Sequence, residues 1–330
     1  AVLPRPMRIT GLRTAAVEIP FDRPIDIGRA ILRSNGCVLV FLESDQGVTG
    51  EGLACSLNAE GLAVLDAAVR ELAPLIVGRD PHAAGRFPMQ WESSKAVHAA
   101  AAVENALYDL RAKLLGLNVS RMLGACRGSI PAYHSGELWV SLGIDELQRS
   151  AEAHVARGFR AMKMRLKGIA QEDVPRVRAV REAIGPELTL MADLNQRLAA
   201  PAEAIRLGRA LEPFNLGWLE EPVAAHDHEG EAEVAAALAT PIASGESVYG
   251  SRAMLGMLRL RSADVLMPDL QRMGGPGGFL QAAALAEAHD VPVSGHLFPE
   301  MSLALLAAIP NAQCLEYMPW ASPVYAEQVE

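Results

Sequence analysis

From residue 130 onward the chain obeys one repeated pattern. Short apolar runs, IPAYHS, FRAMKMR, LTLMADLN, GWLEEP, PIASGES, ADVLMPD, VPVSGHL and QCLEY, alternate with helical segments such as EDVPRVRAVREAIG, PAEAIRLGRALEPF and GGFLQAAALAEAHD. Short apolar runs bounded by helices suit buried strands of a parallel sheet, in which each neighbouring pair needs a crossover. Eight strands and seven right-handed crossovers close into a barrel, with the active site at the C-terminal strand ends. An open doubly wound sheet is the competing arrangement. Eight near-equal units leave it no obvious point at which the strand order reverses.

The first ~125 residues follow a different grammar, strands and then helices. RITGLRTAAVEI and CVLVFLES alternate or run apolar, and SDQG before VTGEGLA reads as a hairpin turn. Two Ala/Leu-rich helices follow, NAEGLAVLDAAVRELAPLIVG and VHAAAAVENALYDLRAKLLG, and GACRGS is the exit. This is an α+β unit.

Ionisable residues close the apolar runs of the barrel: Lys163, Asp193, Glu220, Glu246, Asp269, His296 and Glu316, spaced 20 to 30 residues apart. One acid after a strand is ordinarily a helix cap or a solvated turn. Seven in register would meet in one barrel mouth. Asp193, Glu220 and Glu246 come from adjacent strands, and three carboxylates converging at low dielectric are costly to ionise. A hard divalent cation such as Mg²⁺ resolves that, using carboxylates from the protein plus oxygens from substrate and water. The alternative keeps one of them, Glu246 first, behind the metal. In LEEP one Glu faces inward and the next outward, so Glu220 is the expected ligand and Glu221 a surface or loop-anchoring carboxylate.

Asp269 and His296 lie on neighbouring strands. A carboxylate bonded to an imidazole fixes its tautomer and raises its pKa, giving a base usable near neutrality; a satisfied core histidine is the plainer alternative. His226 and His228 sit in the charged stretch AAHDHEGE and read as solvated surface in preference to a loop metal site. Lys163, Arg165 and Lys167 alternate along AMKMRLKG, so a strand would turn all three to one face.

The net charge of -9 argues against a nucleic-acid surface. No apolar run reaches the ~18 residues needed to span a bilayer, and AVLPRPMRITGLRT lacks the pattern of a signal peptide. Cys37, Cys55, Cys126 and Cys314 have no ligand-like spacing and read as buried free thiols in a reducing cytosol. A cytoplasmic protein acting on a small molecule is expected, without nucleic-acid or membrane partners.

Taken in order, K-x-R, DLN, LEEP, GES, MPD, GH and LEY resemble the enolase superfamily, specifically its mandelate racemase-like subgroup, over nearly the whole chain. The resemblance implies a (β/α)7β TIM-like barrel over 126–318 beneath an N-terminal α+β capping domain over 1–125. A loop near 21–30 would close over the substrate, and 319–330 would begin a C-terminal return to the capping domain. It implies Mg²⁺ on Asp193, Glu220 and Glu246, and His296 with Asp269 as an acid/base. It also implies Lys163 against a substrate carboxylate, Glu316 hydrogen-bonded to a carboxylate oxygen, and Asn195 and Ser135 as polar mouth residues that hold substrate. The α-proton of a carboxylate is too weakly acidic for a side chain to remove unaided. Mg²⁺, Lys163 and Glu316 would stabilise the charge that moves onto the carboxylate oxygens. The family commonly forms dimers or octamers, so a homo-oligomer is expected. WESSKAVHAA is shorter than its counterparts and SPVYAEQVE reads as a strand entry, so further residues are expected after Lys95 and beyond Glu330.

Two departures from the family pattern bear on function. The family's Lys-x-Lys is here Lys163-x-Arg165. A guanidinium stays protonated above pH ~12, so Arg165 is a poor base, although it can clamp an anion. Lys167 continues the strand face farther from the barrel. A racemase needs a base on each side of the α-carbon, whereas a dehydratase needs one, which can return the proton to the departing hydroxyl. The expectation is a Mg²⁺-dependent lyase that dehydrates an acid sugar, an aldonate or aldarate, to a 2-keto-3-deoxy acid. One alternative is a racemase or epimerase of a 2-hydroxy acid with Lys163 or Lys167 as second base; another is a non-catalytic barrel protein, with Arg165 a sign of decay. The second departure is the lid segment FDRPIDIGRA. It carries Arg23, Asp26 and Arg29, suited to hydroxyls or a second carboxylate, so Arg23 and Arg29 are expected to bind substrate. Trp139 would stack on a sugar or simply pack.

Overall fold

The computed structural model describes residues 7–27, 30–83 and 93–327. Strands β1 (Ile9–Asp26), β2 (Ile31–Ser44) and β3 (Thr49–Leu57) form an antiparallel sheet in the order β1-β2-β3. SDQG is the turn between β2 and β3, closed by the Ser44 N–H donating to Val48 O at 3.1 Å. The first expected helix is two, α1 (Leu62–Glu71) and α2 (Ala73–Ile76). Pro74 has no N–H with which to continue the first.

The second expected helix is α3 (Ser94–Leu114). Its alanine run favours the helix, and Ser93 caps it by accepting from the Ala96 N–H at 3.2 Å. TGEG explains how α3 seats on the sheet. A Cβ on Gly50 would collide with the Ala106 carbonyl, and one on Gly52 with that of Ala102, so only glycine lets β3 approach the helix backbone this closely. Two side chains tie this unit to the loop between Asp269 and Gly277. Gln271 accepts from the Cys55 N–H at 2.6 Å and donates to the Cys55 carbonyl at 3.0 Å. Glu104 of α3 accepts from the Gly277 N–H at 3.0 Å.

After α4 (Val119–Met122) the chain enters the barrel. Its strands are β4 (Ala132–His134), β5 (Ala161–Arg165), β6 (Thr189–Asp193), β7 (Leu219–Glu220), β8 (Ile242–Ser244), β9 (Val265–Leu266), β10 (Val293–Gly295) and β11 (Ala312–Tyr317). They close in the order β10-β11-β4-β5-β6-β7-β8-β9, so all eight apolar runs are strands of a closed barrel and not of an open doubly wound sheet. The crossovers carry α5 (Ile144–Ala156), α6 (Ala170–Ile184), α7 (Pro201–Leu211), α8 (His228–Ala237), α9 (Ser251–Leu260), α10 (Pro276–Glu287) and α11 (Pro299–Leu306). Along β5, Met162 and Met164 pack outward against Leu147 and Val177 of α5 and α6. Strand alternation therefore turns Lys163 and Arg165 inward. An apolar plug of Tyr133, Met191, Trp218, Ala243, Val265, Met267 and Cys314 fills the barrel beneath them. Among the described residues no helix is long and apolar enough to cross a membrane.

The cysteines are free, but only Cys37 and Cys314 are buried; Cys126 is exposed, contrary to expectation. Cys37 and Cys55 face each other across the β2–β3 register with sulfurs 3.1 Å apart.

Because Tyr133 takes the inward position on β4, His134 faces outward and stacks on His154 of α5, ring centroids 3.8 Å apart. Both rings are buried. Arg157 approaches His134 Nε2 at 3.4 Å, and Glu137 lies 3.9 Å from His154 Nδ1. Burial first, then His154 and Arg157, push the His134 pKa down to about 3. The unfolded chain protonates this ring below its ordinary value of 6.5, while the folded protein resists down to about 3. Stability is therefore intact above pH 6.5 and declines as pH falls, by about 2 kcal/mol at pH ~5. Denaturant titrations at neutral and acid pH check this. His134→Gln should lose less stability on acidification than the wild type, and an equal loss would sink the assignment.

Candidate active site

The barrel gathers the strand-end residues as a buried polar layer above its plug. Lys163, Asp193, Glu220 and Glu316 are 1% exposed or less, and Glu246, Asp269, His296 and Arg165 are also buried. Lys163 Nζ lies 3.0 Å from Glu316 Oε1 and 3.4 Å from Asp193 Oδ2, and it donates to Glu220 Oε1. Burial alone would lower its pKa, but Glu220 and Glu316 reverse this and hold the ammonium above its usual range. Arg165 Nη1 donates to Asp193 Oδ2, and its guanidinium is likewise held on its proton, chiefly by Asp193, against burial. Glu316 is pinned on both oxygens. Ser135 Oγ donates at 2.5 Å and the Leu297 N–H at 2.8 Å. Despite burial, Lys163 and His296 drive its pKa below the carboxylate range.

Asp193, Glu220 and Glu246 each offer a carboxylate oxygen, and these atoms lie within 4.8 Å of one another. Among the described residues, Asp269, Glu316 and Glu221 add further carboxylates around them, and these outnumber the fixed cations Lys163, Arg165 and Arg272. Burial, together with Asp193 and Glu246, pushes the Glu220 pKa far above the carboxylate range. That is the signature of charge outrunning its neutralisation. Hard oxygen donors with a surplus of negative charge fit a divalent cation.

His296 Nδ1 lies 2.7 Å from Asp269 Oδ2. The ionised Asp269 can only accept, so Nδ1 carries a proton toward it, and Nε2, 3.3 Å from Glu246 Oε2, is the nitrogen at which the ring gains or loses its second proton. Burial opposes a rise in the His296 pKa, but Glu246 and Asp269 outweigh it. The loops that aim these groups are strained. Asn195, Gln196, Glu221, Leu297 and Phe298 all have φ between 39° and 63°, beyond β6, β7 and β10. Such backbone costs on the order of 1–3 kcal/mol per residue and collects at sites where function dictates geometry.

A cavity of about 500 Å³ opens over this layer, lined on the barrel side by Arg165, Asn195, Glu246, Asp269, Arg272 and His296. Asn35, Cys55, Ser56, Lys95 and His98 line it from the capping side. Lys163, Asp193, Glu220 and Glu316 stand outside that lining. Asn195 reaches the cavity but spends its side chain on Asp193 at 3.3 Å, and Ser135 serves Glu316. Arg23 lies elsewhere, on a shallow depression with Glu137, Glu146 and Arg149. A register shift between Pro20 and Ile25 breaks the alternation of β1 there, and Ile27, not Arg23, lines the cavity. Arg29 lies outside the described residues. Trp139 is 5% exposed and stacks on Trp320, which is packing. Lys167 lies past the end of β5 and pairs with Glu172 at 2.5 Å, away from the mouth. Glu221 is no surface residue; it is fully buried and accepts from Gln196 Nε2 at 2.8 Å, with its pKa pushed up to about 8 by burial and Glu246.

Two residues escaped sequence reasoning. Arg272 donates to the Glu246 carbonyl at 2.8 Å and lies 3.5 Å from Asp269, and Gln271 beside it reaches back to β3. MPDLQRMGG contains both, but only Asp269 closes a strand, and strand ends were the signal that sequence offered.

A model described as "Mandelate racemase / muconate lactonizing enzyme, N-terminal domain" matches residues 9–124, and one described as "Enolase C-terminal domain-like" matches residues 146–330. The chain is 32% identical to the L-talarate/galactarate dehydratase of Salmonella typhimurium, over 98% of this chain and 84% of that one. It is 29% identical to the L-Ala-D/L-Glu epimerase of Bacillus subtilis, over 92% and 84%. A crystal structure of the Salmonella dehydratase liganded with Mg and L-lyxarohydroxamate superimposes with a TM-score of 0.93 at 32% identity, covering 98% of this chain and 86% of that one. These relatives include both an eliminating and an epimerising enzyme.

Proposed function

The chain belongs to the mandelate racemase/muconate lactonizing enzyme family of the enolase superfamily, and we propose on that footing that it is a Mg²⁺-dependent dehydratase converting an acid sugar, an aldonate or aldarate, to a 2-keto-3-deoxy acid. The observation that carries this reading is the placement of His296, which is bonded to Asp269 through Nδ1 and lines the cavity as the titratable group suited to serve as base. Three strands around the barrel, Lys163 and Arg165 are both held on their protons by buried carboxylates. Proton transfer on both faces of an α-carbon needs a second acceptor, which neither of these cations offers; β-elimination needs none.

Asp193, Glu220 and Glu246 would hold the metal. Bound there, Mg²⁺ supplies Lewis-acid stabilisation for charge developing on the substrate carboxylate. His296 Nε2 removes the α-proton, and Asp269 stabilises the resulting imidazolium through Nδ1. Arg165, at the cavity floor, offers a fixed positive charge to the enediolate oxygens, with the Lys163 ammonium behind it. The imidazolium then gives its proton to the β-hydroxyl as the C–O bond breaks and water leaves. The enol tautomerises to the 2-keto-3-deoxy acid, taking a proton from solvent. Glu316, ionised and saturated with donors, orients Lys163 in this scheme instead of meeting substrate itself.

Proton NMR in D₂O with Mg²⁺, across a panel of mono- and diacid sugars, tests the reading. Loss of a substrate to its 2-keto-3-deoxy acid is expected. Exchange of the α-proton without elimination would overturn it in favour of the epimerase. A second experiment probes the missing base directly. Arg165→Lys places a group of lower pKa on the wall away from His296 and is expected to introduce α-proton exchange with inversion, absent from the wild type. Equal inversion in both proteins would mean a base other than residue 165 serves that face.

A further inference from the structure

Lys95 is the second residue of α3, and TGEG packing places the start of that helix over the cavity. Its ammonium donates to Ser56 Oγ at 2.9 Å and to the backbone carbonyl of Glu60 at 3.0 Å. Both partners are neutral oxygens, and Glu60 itself is solvent-exposed. The ammonium is half-buried, and burial lowers its pKa against the opposing pull of Glu60. The first turn of a helix also disfavours a cation, because the unpaired N–H groups there are already positive. Among the described residues no carboxylate pairs with this ammonium. Lys95 lines the cavity from the capping side, while Arg165, Glu246 and His296 line it from the barrel side.

We infer that Lys95 binds a second, distal carboxylate of the substrate, which makes the preferred substrate an aldarate and not an aldonate. This deepens the dehydratase reading and rests on it for the reactive end of the molecule. A carboxylate entering the cavity offers the ammonium a charged acceptor where it now has two neutral ones, and charge-assisted bonds are roughly twice as strong as neutral ones. The Ser56 hydroxyl keeps its own proton on the Glu60 carbonyl at 2.5 Å, so the ammonium is the group that turns to the ligand. One ammonium balances one carboxylate. A phosphate, with nearly twice the charge, would call for a second cation, and among the described residues the capping-side lining of Asn35, Cys55, Ser56 and His98 supplies none, His98 being held neutral by a pKa lowered to about 4.

The test compares wild type, Lys95→Met and Lys95→Arg. Steady-state kinetics are run on hexarates and the matching hexonates, and binding of adipate and hexanoate is measured by calorimetry. The latter pair carry no β-hydroxyl and report binding whether or not elimination occurs. The wild type is expected to favour the diacid in both assays. Lys95→Met should lower the aldarate-to-aldonate ratio of kcat/KM by about 10- to 100-fold, mostly through KM, and cancel the adipate preference, with Lys95→Arg recovering much of both. Equal preference for mono- and diacids in the wild type, or an unchanged ratio in Lys95→Met, overturns the inference. If adipate binding depends on Lys95 but no acid sugar is dehydrated, the distal site stands and the dehydratase reading falls. If hexonates are dehydrated and Lys95→Met changes no ratio, the reverse holds.

Discussion

Replacing His296 by asparagine is expected to lower turnover of the acid-sugar substrate by about 10²- to 10⁴-fold, the share a positioned general acid/base supplies. Asparagine can still donate an N–H toward Asp269, so the hydrogen bond that His296 Nδ1 makes at 2.7 Å has a partial substitute. What asparagine lacks is a lone pair able to take a proton at the place where Nε2 faces Glu246. Exchange of the substrate α-proton with D₂O should disappear together with product formation, because both begin with the same proton removal. Substrate affinity, set by the metal, Arg165 and the capping side, should change little. The decisive measurement is single-turnover NMR in D₂O with saturating substrate. A His296→Asn variant that still exchanged the α-proton would place the base elsewhere and remove the one-base account of the site.

Stripping the divalent cation is expected to abolish turnover and to cost stability as well. Without it, Asp193, Glu220 and Glu246 crowd oxygens within 4.8 Å of one another with too little positive charge around them, and Glu220 responds by holding a proton far above its ordinary range. A ligand that binds only the folded protein adds about 2.7 kcal/mol at a concentration of about 100 Kd. For a chain of this length that corresponds to a Tm rise of about 4 °C when Mg²⁺ is returned to chelator-treated protein. Glu246→Gln, which removes one of the three carboxylates, should shrink the rise. Full activity in chelator, or a Tm indifferent to Mg²⁺, would show that the triad is satisfied by Lys163 and Arg165 alone and is not a metal site.

The barrel was legible because its signal is local. Each strand is a short apolar run bounded by helix-forming sequence, and the eight runs read from sequence are the eight strands that close. The strand-end residues were legible for the same reason, since one βα unit of spacing repeats in the sequence itself. Asp269 and His296 form a bridge between neighbouring strands, as their order implied. Where reading failed, the deciding contact was distant or the backbone irregular. A register shift in β1 turned Arg23 to a different depression. A left-handed residue at Glu221 kept inside a side chain that strand alternation would send out. Pro74 cut one expected helix into two.

The order of strands, the inward turn of Lys163 and Arg165, and the set of ionisable groups at the barrel mouth were determined by the sequence alone, because strand period and βα spacing depend on neighbours along the chain. Protonation was decided only by the tertiary structure. Lys163 is locked as an ammonium by Glu220 and Glu316, Arg165 by Asp193, and His296 is held in place through Nδ1 by Asp269, through contacts between residues 27 to 153 positions apart. The arrival of Lys95 over the same cavity depends on glycines in β3 that let α3 approach. Charge interacts through space with an energy set by distance and burial, and neither quantity is written in the order of residues.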